Sequence, residues 1–276
     1  MTMCHVCITE GVRADVTRRA MMAGAATAAA SGLVLTPSRV MAQSEDPVSF
    51  NRAVDLTHRL TPDFPTYFGT PAFTAEDTFT WDENKVNLKT LTYPEHVGTH
   101  FDAPIHFSEN GATVDEIAVE HLVCPLAVID VRAAVTEDTD YRLTPDDIRR
   151  FEAEHGDIPQ GACVAMLSGW ADHVATDQFR GADTDGALHF PGFHVEAADF
   201  LMREREVKGI GVDTLSLDHG PSTDSPVHYA WLPSGRWGVE CLAGLAGLPA
   251  LGATLVAGAP RFAGGTGGPG RAIALV

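Results

Sequence analysis

The sequence predicts a single mixed α/β domain. Short apolar runs of strand character recur along it, capped helical segments separate them, and no Pro/Ser-rich linker or repeat divides residues 43–276. Ala53 to Leu56 opens as a short strand, after which Pro62, Pro65 and Pro71 punctuate a loop. Val86 to Tyr93 alternates in the manner of a strand. Leu126 to Val131 and Cys163 to Leu167 are continuous apolar runs of strand length, and so buried. Between them lies a helix with Thr144 as N-cap, Pro145 at its first position, Asp147 at its third and Gly156 just past its end. A second helix runs from about Val195 to Arg205, with Ala197, Ala198, Phe200 and Leu201 on one side. Lys208 to Val212, Ala253 to Ala257 and Ala272 to Val276 supply the remaining strands. On this reading the chemistry falls on the connecting loops.

Composition narrows the function. The 276 residues are 45% hydrophobic and 20% charged, an ordinary globular balance that excludes disordered, collagen-like and coiled-coil chains. Nineteen basic against thirty-seven acidic residues give a net charge of −18. Such a surface repels phosphate backbones and anionic lipid, which argues against nucleic-acid and membrane partners. No apolar run reaches the roughly 18 residues of a spanning helix. Residues 1–42 read as an export signal. Thr17-Arg18-Arg19-Ala20-Met21-Met22 precedes the Ala-rich stretch Ala23 to Leu35, and Val40-Met41-Ala42 offers small residues for cleavage. The paired arginines and weak hydrophobicity indicate the twin-arginine route, with a periplasmic or secreted product. Cys4 and Cys7 fall in this leader, while Cys124, Cys163 and Cys241, an odd number with apolar flanks, read as buried free thiols.

One cluster carries chemistry. His96, His100, Asp102 and His106 lie within eleven positions, and imidazole with carboxylate is a ligand set for zinc, manganese or iron. On an extended segment His100 and Asp102 share a face about 7 Å apart, within reach of one ion. His96 would be about 13 Å from His100 if extended, so the chain must turn, and Gly98 gives it the freedom. Pro104 stiffens the exit and aims His106 back at the same place. Metal-free, three buried imidazoles would need many hydrogen-bond partners. Further on, Gly211 to Asp218 leaves a buried strand for a loop rich in Asp, Ser and Pro that reaches His228, with Glu240 twelve residues later. Spacing alone does not join His228 and Glu240 to the cluster, and His58, His121, His155, His173, His189 and His194 carry no distinguishing pattern.

The stretch HVGTHFDAPIHF resembles the His-x-Gly-Thr-His-x-Asp-x-Pro-x-His signature of the metal-dependent cyclase family, which includes bacterial kynurenine formamidases and isatin hydrolases. The likeness extends through Asp55-Leu56-Thr57-His58, Phe190-Pro191-Gly192, the segment GIGVDTLSLD, His228 to Glu240, and Gly264-Gly265-Thr266-Gly267 with Arg271-Ala272. It implies a swivelling β/β/α domain with one or two divalent ions per chain, Zn2+ or Mn2+. His96, His100 and Asp102 would bind one ion, and Asp102 would bridge to a second held by His228 and Glu240. His106 would be the acid/base residue. The implied reaction is hydrolysis of a small amide, formamide or lactam by metal-bound hydroxide, at a mouth shared with the partner of a homodimer.

His219 stands where formamidase-like members more often have proline, and the export leader is unusual for them; both point away from tryptophan catabolism. Phe64, Tyr67, Phe68, Trp81 and Trp170 are candidates for an aromatic pocket or for packing, with Trp170 singled out for the pocket. Two other readings keep the metal site. A lyase or dehydrating cyclase would use His106 to abstract a carbon-bound proton, and a non-catalytic metal-binding protein would not need His106 at all.

Overall fold

The computed structural model describes residues 49–276. The expected export segment, with Cys4 and Cys7, lies outside the described residues. Nine strands form one sheet: β1 (Ala53–Asp55), β2 (His100–Asp102), β3 (Val123–Asp130), β4 (Cys163–Leu167), β5 (Gly209–Val212), β6 (Trp237–Glu240), β7 (Ala253–Gly258), β8 (Gly267–Pro269) and β9 (Arg271–Leu275). Their order is β1-β9-β7-β3-β4-β5-β6-β2-β8. The central run β3-β4-β5-β6 is parallel. Antiparallel strands flank it on both sides. Each parallel step needs a crossover, supplied in turn by α1 (Pro145–His155), α2 (Val195–Glu204) and α3 (Pro226–Trp231).

Alternation along the parallel strands makes two apolar faces and therefore two cores. Ala127 and Ile129, Val164 and Met166, and Ile210 and Val212 point to the helices, where they meet Ile148, Leu201 and Trp231. Their alternates Leu126, Val128, Cys163 and Ala165 face the other way, joining Val239 of β6 in a core with Leu255, Ala274 and Phe101 from the flanking strands. A shared core on that side curls the sheet into a half-barrel. This is the mixed α/β class expected. The α1 cap also has its expected form: the Asp147 carboxylate accepts the Thr144 N–H at 2.8 Å, while Thr144 Oγ1 accepts the Asp147 N–H at 3.4 Å.

The expected strand forms over Leu88–Thr92, and it pairs with Thr74–Phe79 in a separate hairpin whose strand residues are all exposed. The placement of the chemistry on loops holds for His96, in the loop before β2, but not for His100, Asp102 and Glu240, which lie on β2 and β6, or for His228 on α3. These strands have three or four residues, too few for a period to show. Cys124, Cys163 and Cys241 are buried free thiols. Among the described residues no helix is long and apolar enough to cross a membrane.

Leu201 is fully buried where α2 meets the sheet. Leu201→Ala is expected to cost about 2–5 kcal/mol through lost burial and a residual cavity, read as a lower urea midpoint at unchanged slope.

Candidate metal centre

The site is built where the parallel sheet turns antiparallel. On β2, two-residue alternation sends the His100 and Asp102 side chains to one side. The β2–β6 register sets Glu240 directly opposite His100. His100 Nε2 consequently lies 3.4 Å from Asp102 Oδ1 and 3.3 Å from Glu240 Oε2. From α3, His228 Nε2 approaches Glu240 Oε1 at 3.2 Å and Asp102 Oδ2 at 3.8 Å. Gly98 makes the turn before β2 at φ +61°, where a Cβ would stand 2.7 Å from Leu60 Cδ1. The turn brings His96 Nδ1 to 2.8 Å from Asp102 Oδ1. After β2, Pro104 opens the single 3₁₀ turn Pro104–Phe107, which stacks the His106 ring on His96 with centroids 3.7 Å apart. All six residues named for the site thus meet in one place.

The grouping differs from the one the family likeness implies. Among the described residues, two sets of ligand-type atoms lie close enough for one ion each, His96-Asp102-His106 and His100-Asp102-Glu240. Asp102 belongs to both. His100 joins Glu240 because they are cross-strand neighbours, and His106 joins His96 because their rings stack.

The ring orientations are set from behind. His100 Nδ1 donates to the Gly98 carbonyl at 2.9 Å, and His228 Nδ1 donates to Asp218 Oδ2 at 2.6 Å. Each ring therefore turns Nε2 toward the carboxylates. Asp218 also accepts the N–H groups of Val227 and His228 at 2.8 and 3.2 Å, anchoring it to the first turn of α3. Sequence reading gave Asp218 no role; a carboxylate behind a ligand-type histidine is the signal that would have found it.

A cation fits this donor set. Asp102 Oδ2 is buried with no hydrogen-bond partner, an arrangement that is costly unless something positive completes it. Protons take that part in the cation-free site. Burial opposes charging His100, but Asp102 and Glu240 outweigh it and hold its pKa well above the ordinary value. Burial also opposes charging His228, yet Asp218 and Glu240 push it up to about 10. Burial alone would raise the Asp102 pKa, but hydrogen bonds from His100 and His96 hold it well below the usual carboxylate range. His106 behaves differently: burial drives it down to about 4 against the opposing pull of the Asp102 charge. It does not titrate near the 6.5 of a free imidazole, so at neutral pH it is an uncharged proton acceptor.

The groups His96, His100, His106, His228 and Glu240 line a cavity of about 360 Å³, with Tyr67, Phe68 and Phe107 among its walls. Trp170, expected to line a pocket, lies instead in a core cluster with Phe64 and Phe179, its indole N–H donating to the Phe179 carbonyl at 2.8 Å. Only that buried partner satisfies the indole. Trp81 is exposed beside the hairpin.

Since His100 and His228 hold protons at neutral pH without a cation, loading must displace them. Affinity for Zn2+ is expected to rise with pH below about 10, approaching tenfold per pH unit for each proton displaced. Titration calorimetry in buffers of different ionisation enthalpy counts those protons. Asp218→Asn is expected to weaken loading about 10–100-fold while the fold survives, as measured by chelator competition.

The chain is similar in sequence and fold to known proteins. Residues 54–219 match the family model described as putative cyclase. The isatin hydrolase of Roseibium aggregatum is 37% identical over 192 residues, which is 66% of this chain and 72% of that protein. The kynurenine formamidase of Salinibacter ruber is 31% identical over 195 residues, 70% of this chain and 81% of that one. A crystal structure of an isatin hydrolase bound to the product analogue thioisatinate superposes with a TM-score of 0.75 at 31% identity, covering 81% of this chain and 92% of the other. The chain belongs to the cyclase family, as a metal-dependent hydrolase homologous to isatin hydrolase and kynurenine formamidase.

Proposed function

We propose that the chain hydrolyses the C–N bond of a small aromatic amide, either a lactam like isatin or a formamide like N-formylkynurenine. In this reading His96, His100, Asp102, His228 and Glu240 hold one or two zinc or manganese ions, and His106 is the acid/base residue. The unpartnered Asp102 Oδ2, buried among His100, His228 and Glu240, is the observation that carries it. A bound divalent cation would polarise the scissile carbonyl and make water a nucleophile near neutral pH. His106 receives the proton from that water because burial keeps its ring neutral. The imidazolium so formed is a strong acid in its pocket and delivers the proton to the departing nitrogen. Asp218 holds His228 in place throughout. Tyr67, Phe68 and Phe107 offer aromatic surface to a flat ring, and a cavity of about 360 Å³ suits a bicyclic molecule.

We also infer a homodimer and export. Phe79, Leu88 and Leu91 on the hairpin are each 43–52% exposed, and an isolated two-stranded hairpin is marginal in water without a cover. A second copy of the chain is the cover proposed. Export rests on the paired arginines and apolar stretch of residues 1–42.

His106→Ala is expected to lower turnover of isatin or an aryl formamide at least 100-fold while bound metal, measured by elemental analysis, stays unchanged. Loss of metal in that variant would make His106 a ligand instead, which its place beside His96 and Asp102 allows. In ¹⁸O-water the product carboxylate is expected to carry one solvent oxygen per turnover; an unlabelled product would indicate a lyase.

A further inference from the structure

We propose that Glu95 and Thr266 form a positioning pair that fixes His96 as its Nε2–H tautomer and commits Nδ1 to the cation. The inference rests on the metal centre proposed above and adds two residues that are not ligands. It follows from counting hydrogens. Thr266 Oγ1 lies 2.5 Å from Glu95 Oε2, and a carboxylate can only accept, so the single hydroxyl proton points there. The same oxygen lies 2.9 Å from His96 Nε2, and with its proton already given it can only accept, which places a hydrogen on Nε2. His96 Nδ1 then faces Asp102 Oδ1 at 2.8 Å. Two acceptors at that distance repel unless a proton or a cation lies between them.

The pair is rigidly built. Glu95 Oε1 accepts the Thr266 backbone N–H at 3.1 Å, and the Thr266 carbonyl accepts the N–H of Ala103 at 2.9 Å, just past β2. Pairing of β8 with β2 sets Gly267 opposite Asp102. A Cβ at Gly267 would stand 2.3 Å from the Phe101 carbonyl oxygen and 2.7 Å from His96 Cε1, and one at Gly265 would stand 2.9 Å from Glu95 Oε1. The glycines around Thr266 thus leave room for the His96 ring and the Glu95 carboxylate to come close to this segment. A threonine in a glycine-rich run, otherwise without a task, gains one here.

The test uses the full chain and Zn2+. Thr266→Val removes the hydroxyl at nearly equal volume, and Thr266→Ser keeps it. Chelator competition is expected to show zinc binding weakened about 10–100-fold in T266V and changed less than about threefold in T266S. Nitrogen-15 spectra of the zinc-loaded protein are expected to show His96 ligated through Nδ1 with a proton on Nε2. Zinc on Nε2 overturns the proposal, and so do equal affinities in the two variants. If the unchanged protein takes up no zinc, the metal reading above fails, but the hydrogen that the pair places on Nε2 is still tested in the metal-free protein, where a second proton lies between Nδ1 and Asp102. There, a slowly exchanging His96 Nε2 proton that becomes fast in T266V supports the pair, and fast exchange in both overturns it.

Discussion

Two carboxylates, Asp102 and Glu240, are buried side by side among imidazoles, and their mutual repulsion is the constraint the rest of the structure serves. The Asp102 charge, added to burial, works to raise the Glu240 pKa, and hydrogen bonds from His100 and His228 more than offset both. Leaving such a pair uncompensated would cost several kcal/mol. The sheet supplies the force that holds them together, since β6 is hydrogen-bonded on both edges, to β5 and to β2. Glu240 has no freedom to withdraw, and its Oε1 is held further by the Leu217 N–H at 2.9 Å.

The change of strand direction at β6 gives this constraint its geometry. Parallel pairing up to β6 brings in a helix at each crossover, and the last of these, α3, carries His228 to the sheet. Antiparallel pairing beyond β6 adds β2 and β8, which bring His100, Asp102 and Thr266 without further helices. Donors from residues 96–106, 228 and 240 therefore converge in one place. The aromatic residues Tyr67 and Phe68 approach from a proline-punctuated segment, whose Tyr67 carbonyl accepts Arg180 Nε at 3.3 Å.

Much of this was legible in the sequence, where local chemistry decides the outcome. The α1 boundaries follow from Thr144, Pro145, Asp147 and Gly156, and the buried parallel strands follow from apolar runs flanked by turns. The turn at Gly98 and the reach of His106 after Pro104 follow from spacing. The position of Glu240 does not, because its partner in register is His100, 140 residues earlier, and pairing at that distance leaves no local trace. Trp170 was misplaced for a related reason. The sequence shows an aromatic side chain, but only the fold reveals a backbone carbonyl ready for its indole N–H. Glu95, Thr266 and Asp218 were given no role from sequence, because ordinary polar residues gain meaning only from what they face.

The sheet order has a further consequence, for how the protein comes to be folded. Residues 271–275 form β9, an inner strand held by β1 on one side and β7 on the other. Until that segment is available, β1 has no partner, the half-barrel core lacks Ala272 and Ala274, and the edge of β7 stays open. Contacts between residues 53–55 and 273–275 close a loop of more than two hundred residues, an entropic hurdle that slows folding. The half-formed sheet exposes unpaired backbone in the meantime, the kind of surface on which chaperones act. Closure of the half-barrel core is thus a late event in the life of the chain, after both ends of the domain have met.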